Sequence, residues 1–118
     1  MIEILVAKVF NTRNAVHLEH WRTKSFAQHT ALGDLYENLI SDIDAIVECY
    51  QGAFKPLDIP ELPALIPPAN IIKHLETDVV WIEKNCEEIS GKVGAVENLL
   101  QNLCSTYFTA IYKLKNLS

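Results

Sequence analysis

The sequence predicts an all-α fold, four amphipathic helices in one bundle with a single long proline-rich crossover between helices 2 and 3. Three observations carry this. Apolar residues recur in steps of three and four over four long stretches, and no alternating strand pattern competes. All five prolines fall between positions 56 and 68, a density at which helix cannot continue, because each removes an N–H donor and disfavours helix at the residue before it. The 118 residues, 49% hydrophobic and 21% charged, suit one domain spanning 1–118 with a real core.

The first helix is expected over about 2–22, with Ile2, Val6, Val9, Val16 and His20 along one side. Ser25 then reads as an N-cap, with Gln28 three residues on completing a capping box. The second helix, about 26–51, carries Leu32, Leu35, Tyr36, Leu39, Ile40, Ile43, Ile46, Val47 and Tyr50, a face wide enough for burial on more than one side, and stops at Gly52. The crossover, 53–69, holds Leu57, Ile59, Leu62, Leu65 and Ile66, too apolar for a free linker, so a packed path along the surface is expected. Asn70 can cap the third helix, about 71–90, whose stripe is Ile72, Leu75, Val79, Ile82, Cys86 and Ile89, and Gly91 ends it. The fourth, about 92–115, has Val93, Val96, Leu100, Leu103, Tyr107, Ile111 and Leu114 in line. Short connections make helices 1–2 and 3–4 antiparallel pairs, and the long one joins the pairs. That is the ferritin-like arrangement.

The net charge of −5 argues against a surface built for phosphate backbones or anionic lipid. No apolar run approaches the roughly 18 residues of a membrane helix. The start, "MIEILVAKVF", lacks a basic region and a cleavage site, so it reads as the first helix and not as a signal peptide. Cys49, Cys86 and Cys104 show no close spacing and read as reduced thiols of a cytoplasmic protein.

A four-carboxylate metal centre inside one bundle is excluded by the pattern. The inner stripes of helices 3 and 4 read as entirely apolar, Glu83 and Glu97 lie beside them, and no Glu-x-x-His occurs. What remains is His17, His20 and His29 in "HLEHWRTKSFAQH", with Asp44 and Glu48 one turn apart on helix 2. Imidazoles with carboxylates suit iron or zinc. His29 and Asp44 are fifteen residues apart on one helix, roughly 22 Å along its axis, so they cannot share an ion within one chain. Antiparallel second helices of two subunits could bring them together across a two-fold axis.

"HWRTKSFAQH" followed by "DAIVE" resembles the Dps-like miniferritin branch of the ferritin superfamily. "HWRTKSFAQHTAL" and "ECYQG" also look like short phage-encoded ferritin-like proteins, which would place the chain in a host cytoplasm. The resemblance covers residues 16–52 and implies a homo-oligomer, at least a two-fold dimer and in the fullest form a dodecameric cage. It implies an intersubunit ferroxidase-type site that oxidises Fe(II) with peroxide or oxygen, with iron storage where a cage forms. The implied ligands are His20 and His29 of one chain with Asp44 and Glu48 of the next, with Trp21 and His17 in support. Three departures accompany it. The gap from His20-Trp21 to His29 is about three residues shorter than typical members have. Gly33 stands where a carboxylate usually follows, leaving Asp34, about 100° round the helix, as a further ligand. The basic tail that many members use on DNA is missing, so no DNA binding is expected. The alternatives are a non-catalytic ferritin-like scaffold or protein-interaction module, in which Asp44 and Glu48 pair with Arg22 or Lys24 of a neighbour, and a structural zinc site on the same residues.

Overall fold

A computed structural model describes residues 1–59, 61, 62 and 64–117; Pro60 and Pro63 of the proline window lie outside the described residues. Among these the chain forms four helices, α1 (Ile2–Arg22), α2 (Phe26–Ala53), α3 (Ile71–Ser90) and α4 (Gly94–Asn116), and no strand. Among the described residues no helix is long and apolar enough to cross a membrane.

The helix ends follow local chemistry. Ser25 caps α2 by accepting the Gln28 N–H at 3.2 Å. The expected reciprocal box is replaced by a relay. The Gln28 side chain accepts from Thr23 Oγ1 at 2.9 Å, and Thr23 Oγ1 in turn takes the Ser25 N–H at 3.2 Å. Thr23, the residue that ends α1, thus does what the box would have done, which suits a corner only three residues long. α2 runs through Gly52 to Ala53, past the expected stop, since nothing there demands a left-handed residue. Asn70 Oδ1 accepts the Lys73 N–H at 3.0 Å and starts α3. Gly91 ends α3 at φ 56°. A Cβ there would also stand 2.9 Å from the Phe54 ring, so glycine is required twice over.

Around the bundle the neighbours run α1, α2, α4, α3 and back to α1. Cross-contacts fix their directions. His17 meets Tyr36 and His20 meets His29 (α1/α2), Asp42 meets Asn102 and Asp34 meets Lys113 (α2/α4), Asp78 meets Tyr107 and Glu76 meets Lys115 (α3/α4), and Thr12 meets Asp78 while Lys8 meets Trp81 (α1/α3). Every adjacent pair is therefore antiparallel, and α2 and α3, on the diagonal, point the same way. The core between them is made by Leu5, Val9, Leu35, Leu39, Ile82 and Leu103, none more than 2% exposed. Burying such side chains is the main favourable contribution to folding.

Two expectations need correction. The inner face of α3 is not wholly apolar: Asp78 is buried beside Val79, and on α1 Thr12 is buried between Val9 and Val16. The step from Leu75 to Ile82 can pass through 78 or 79, and the helix turns both inward. In the segment between α2 and α3, Leu57 and Leu65 are half-buried, whereas Ile59, Leu62 and Ile66 remain exposed. Leu57 is held by its N–H donating to Gln51 Oε1 at 2.9 Å.

Candidate functional site

The corner between α1 and α2 forces residues near 20 and 29 together. Thr23, Lys24 and Ser25 form the whole connection, so the last turn of α1 packs on the first turn of α2. His20 and His29 stack there with ring centroids 3.7 Å apart and planes at 19°. Each ring also reaches the other's backbone: His20 Nδ1 lies 2.6 Å from the His29 carbonyl oxygen, and His29 Nδ1 lies 2.8 Å from that of His20. A carbonyl oxygen only accepts, so each Nδ1 carries the hydrogen and donates it. Each neutral ring then keeps its lone pair on Nε2. The clasp closes the orphan His20 carbonyl at the end of α1, gives the His29 carbonyl in the first turn of α2 a second donor, and sets one tautomer on both rings.

Gly33 makes room for this. A Cβ at position 33 would stand 3.1 Å from His20 Cε1 and 3.3 Å from Nδ1. Gly33 is thus the floor under the His20 ring. Its role was invisible in the sequence, where only the missing carboxylate showed.

His17 and Trp21 lie beside this pair, not in it. His17 stacks on Tyr36 (3.9 Å, 12°) and touches Trp21 (4.3 Å), which is itself 67% exposed. Desolvation pushes the His17 pKa down, and the positive charge of Arg13 pushes the same way. Arg13 lies over the Tyr36 ring at 5.3 Å.

Asp34 is turned away from the histidines. Its carboxylate faces Lys113 of α4 at 4.0 Å. Asp44 and Glu48 are exposed near the other end of α2. Hydrogen bonding to Asp44 and repulsion from its charge raise the Glu48 pKa, as two carboxylates one turn apart should. Asp44 also borders an apolar hollow of about 380 Å³ between Phe10, Ile40, Val47 and Leu57. The structure therefore brings His20 and His29 together, and Asp44 with Glu48, but not the two pairs with each other. Among the described residues no three His, Cys, Asp or Glu side chains gather closely enough to hold a metal.

A second polar cluster, around Asp78, escaped the sequence reading, which took the inner stripe of helix 3 as entirely apolar. Asp78 Oδ2 accepts hydrogen bonds from Thr12 Oγ1 and, at 2.8 Å, from Tyr107 OH. Thr12 has one hydrogen and spends it on Asp78, so its oxygen accepts from His74 Nε2–H, 2.8 Å away. Thr12 and Tyr107 are fully buried and Asp78 is 4% exposed. A tyrosine on an inward stripe needs a partner for its hydroxyl, and that was the available signal. Burial first, and then the Asp78 charge and hydrogen bond, hold the Tyr107 pKa well above its ordinary 10.0. For a phenol raised in the fold, the stability it contributes is complete below the unfolded value near pH 10 and is lost as pH rises through and beyond it. Folded wild type and Tyr107→Phe should therefore give equal phenolate absorbance at 295 nm at pH 10. An extra phenolate in the wild type would show that the ring is not sealed in this cluster.

Residues 20–114 match a family described as "Family of unknown function (DUF5856)", and the chain belongs to that family. No curated protein and no solved structure matches it.

Proposed function

We propose that this DUF5856 chain is a ferritin-like bundle, akin to the Dps-like miniferritins, whose histidine corner supplies half of an iron site shared by two subunits. The antiparallel ring of neighbours supports the fold. With α2 and α3 parallel on the diagonal, the proline-rich segment has to travel the length of the bundle, as a ferritin-like crossover does. The observation that carries the function is the reciprocal clasp of His20 and His29. Ring N–H groups donated to backbone carbonyls, with Nε2 left as the donor atom, are what a metal-binding imidazole needs from its surroundings.

His20 and His29 would hold the ion with the partner's Asp44 and Glu48. The roughly 22 Å between the two pairs on one helix requires that partner. The exposed Asp44/Glu48 pair, self-repelling in the single chain, would gain a cation on assembly. Fe(II) fits the imidazole and carboxylate set, and as substrate it would give up an electron to peroxide or oxygen while these residues hold and orient it. A second reading, a cation held for assembly without redox chemistry, draws on Gly33 and Asp34. The first is filled by the His20 ring and the second faces Lys113, so the set is a carboxylate short. Zinc would serve that role.

Complementation between subunits tests the site. His29→Ala and Glu48→Gln should each abolish binding of Zn(II) and Fe(II) by the homodimer. Mixed after unfolding and refolding, the two variants should regain one intact site in every mixed dimer. A monomeric wild type, or a mixture that stays empty, ends the reading. The rate of Fe(III) formation in air or peroxide separates the two roles: acceleration over free Fe(II) supports oxidation, and its absence with tight binding supports assembly alone.

A further inference from the structure

We propose that two copies of this chain pair through α2, each seating Phe26 in the apolar hollow of the other. The inference rests on the shared-site reading for its register, His29 opposite the partner's Asp44, and adds what holds the two chains together.

Register gives the first step. When antiparallel second helices set His29 against the partner's Asp44, Phe26 falls opposite the partner's Val47, since Phe26 precedes His29 by three residues and Val47 follows Asp44 by three. Val47 is a wall of the hollow of about 380 Å³. Phe26 and Asp44 are eighteen residues apart, about five whole turns, so they share one side of α2. Knob and hole thus lie on one face, at opposite ends of one helix, and a two-fold axis between them brings each to the other. The contact is made twice, at seats about 32 Å apart along the helix.

Chemistry gives the second. Phe26, the first residue of α2, is 82% exposed. A single exposed phenylalanine is ordinary; this one is set apart by what faces it in register. The hollow is walled by Phe10 of α1, by Ile40, Ile43 and Val47 of α2, and by Leu57 and Ile59 beyond it, with Ile40 and Ile59 still exposed. A phenyl ring asks only for apolar walls and brings a large area out of water when it finds them. Trp21, the other exposed aromatic of the corner, already packs on His17 at 4.3 Å. Charge agrees with the register. Lys24, exposed just before Phe26, comes beside the partner's Glu48, exposed just after Val47. Glu37, exposed nearest the axis, meets its own copy and opposes pairing.

The test is sedimentation equilibrium of the full chain in chelator, so that no metal contributes. Wild type should be a dimer. Phe26→Ala should weaken it about 1,000-fold, two seats at about 30-fold each, the size of a buried interface anchor. Ser41→Trp, at an exposed residue lining the hollow, should fill it and weaken the dimer as much while leaving the core alone. Mixed, the two variants keep one seat, Phe26 of the second chain in the open hollow of the first. The mixed dimer should therefore recover about 30-fold. Glu37→Gln should tighten the wild-type dimer about threefold at low salt. A dimer indifferent to any of the three substitutions, or a mixture no tighter than either variant alone, overturns the proposal. A chain that dimerises only with Zn(II) overturns it too and leaves the shared metal site standing. A dimer seated through Phe26 that binds no metal does the reverse.

Discussion

Asp78→Ala should lower the stability of the chain by about 3 kcal/mol, read from urea unfolding followed by helical circular dichroism. The loss is large because one carboxylate oxygen serves two buried donors. Without it Tyr107 OH and the Thr12 hydroxyl, both in fully buried residues, have no acceptor, and each stranded polar group costs roughly 1–3 kcal/mol. His74 also loses the order imposed through Thr12. Tyr107→Phe removes a donor and its need together, so it should cost only about 1 kcal/mol. The double variant should then lose less than the sum of the singles, since the phenol stranded by Asp78→Ala is absent. If Asp78→Ala lies within about 1 kcal/mol of wild type, well below the penalty for two stranded donors, the cluster is not the linchpin that the geometry makes it.

The same cluster shows where sequence reasoning stops. Helix periodicity is a property of one helix at a time, and it placed α1 and α3 at the bounds the structure has, 2–22 and 71–90. Caps were legible where a single residue does the work, as with Asn70 and Gly91. The Ser25 end was half legible: the serine was evident, but the return bond runs through Thr23, which only the tightness of the corner decides. Asp78 could not be placed because its burial is settled by groups 66 positions back and 29 positions ahead. On its own helix it looked like a polar residue next to Val79. The histidine corner lies between these cases. Its residues and their proximity follow from a three-residue turn. The clasp does not, because it depends on the backbone carbonyls of helix ends and on the absence of one Cβ at Gly33. The same glycine that reads as a missing carboxylate in the sequence becomes, in three dimensions, the space that the His20 ring occupies.

Gly33→Ala should separate stability from metal binding at that corner. In an exposed helix interior, glycine to alanine is worth about 1 kcal/mol. Gly52, also within α2, shows nothing within 4 Å of an added Cβ, so Gly52→Ala should realise much of that gain and leave metal affinity unchanged. At position 33 the added Cβ meets His20 Cε1 at 3.1 Å, and the ring has little freedom to retreat. It is stacked on His29 at 3.7 Å and tied through Nδ1 at 2.6 Å. Relief must come from shifting the ring by a few tenths of an ångström, which strains the clasp and spends most of the helical gain. The expected net change in stability is therefore within about 0.5 kcal/mol of zero. Metal affinity should respond far more, falling about 10- to 100-fold, because the groups that orient a metal-binding imidazole carry that share of its affinity. Gly33→Leu should go further, driving His20 out of the clasp and removing binding altogether. Calorimetric titration of Zn(II) into wild type, Gly33→Ala and Gly52→Ala gives the comparison under one set of conditions. Equal affinity in all three would take His20 out of the metal set, since no ligand resting on that glycine could tolerate the methyl group without moving.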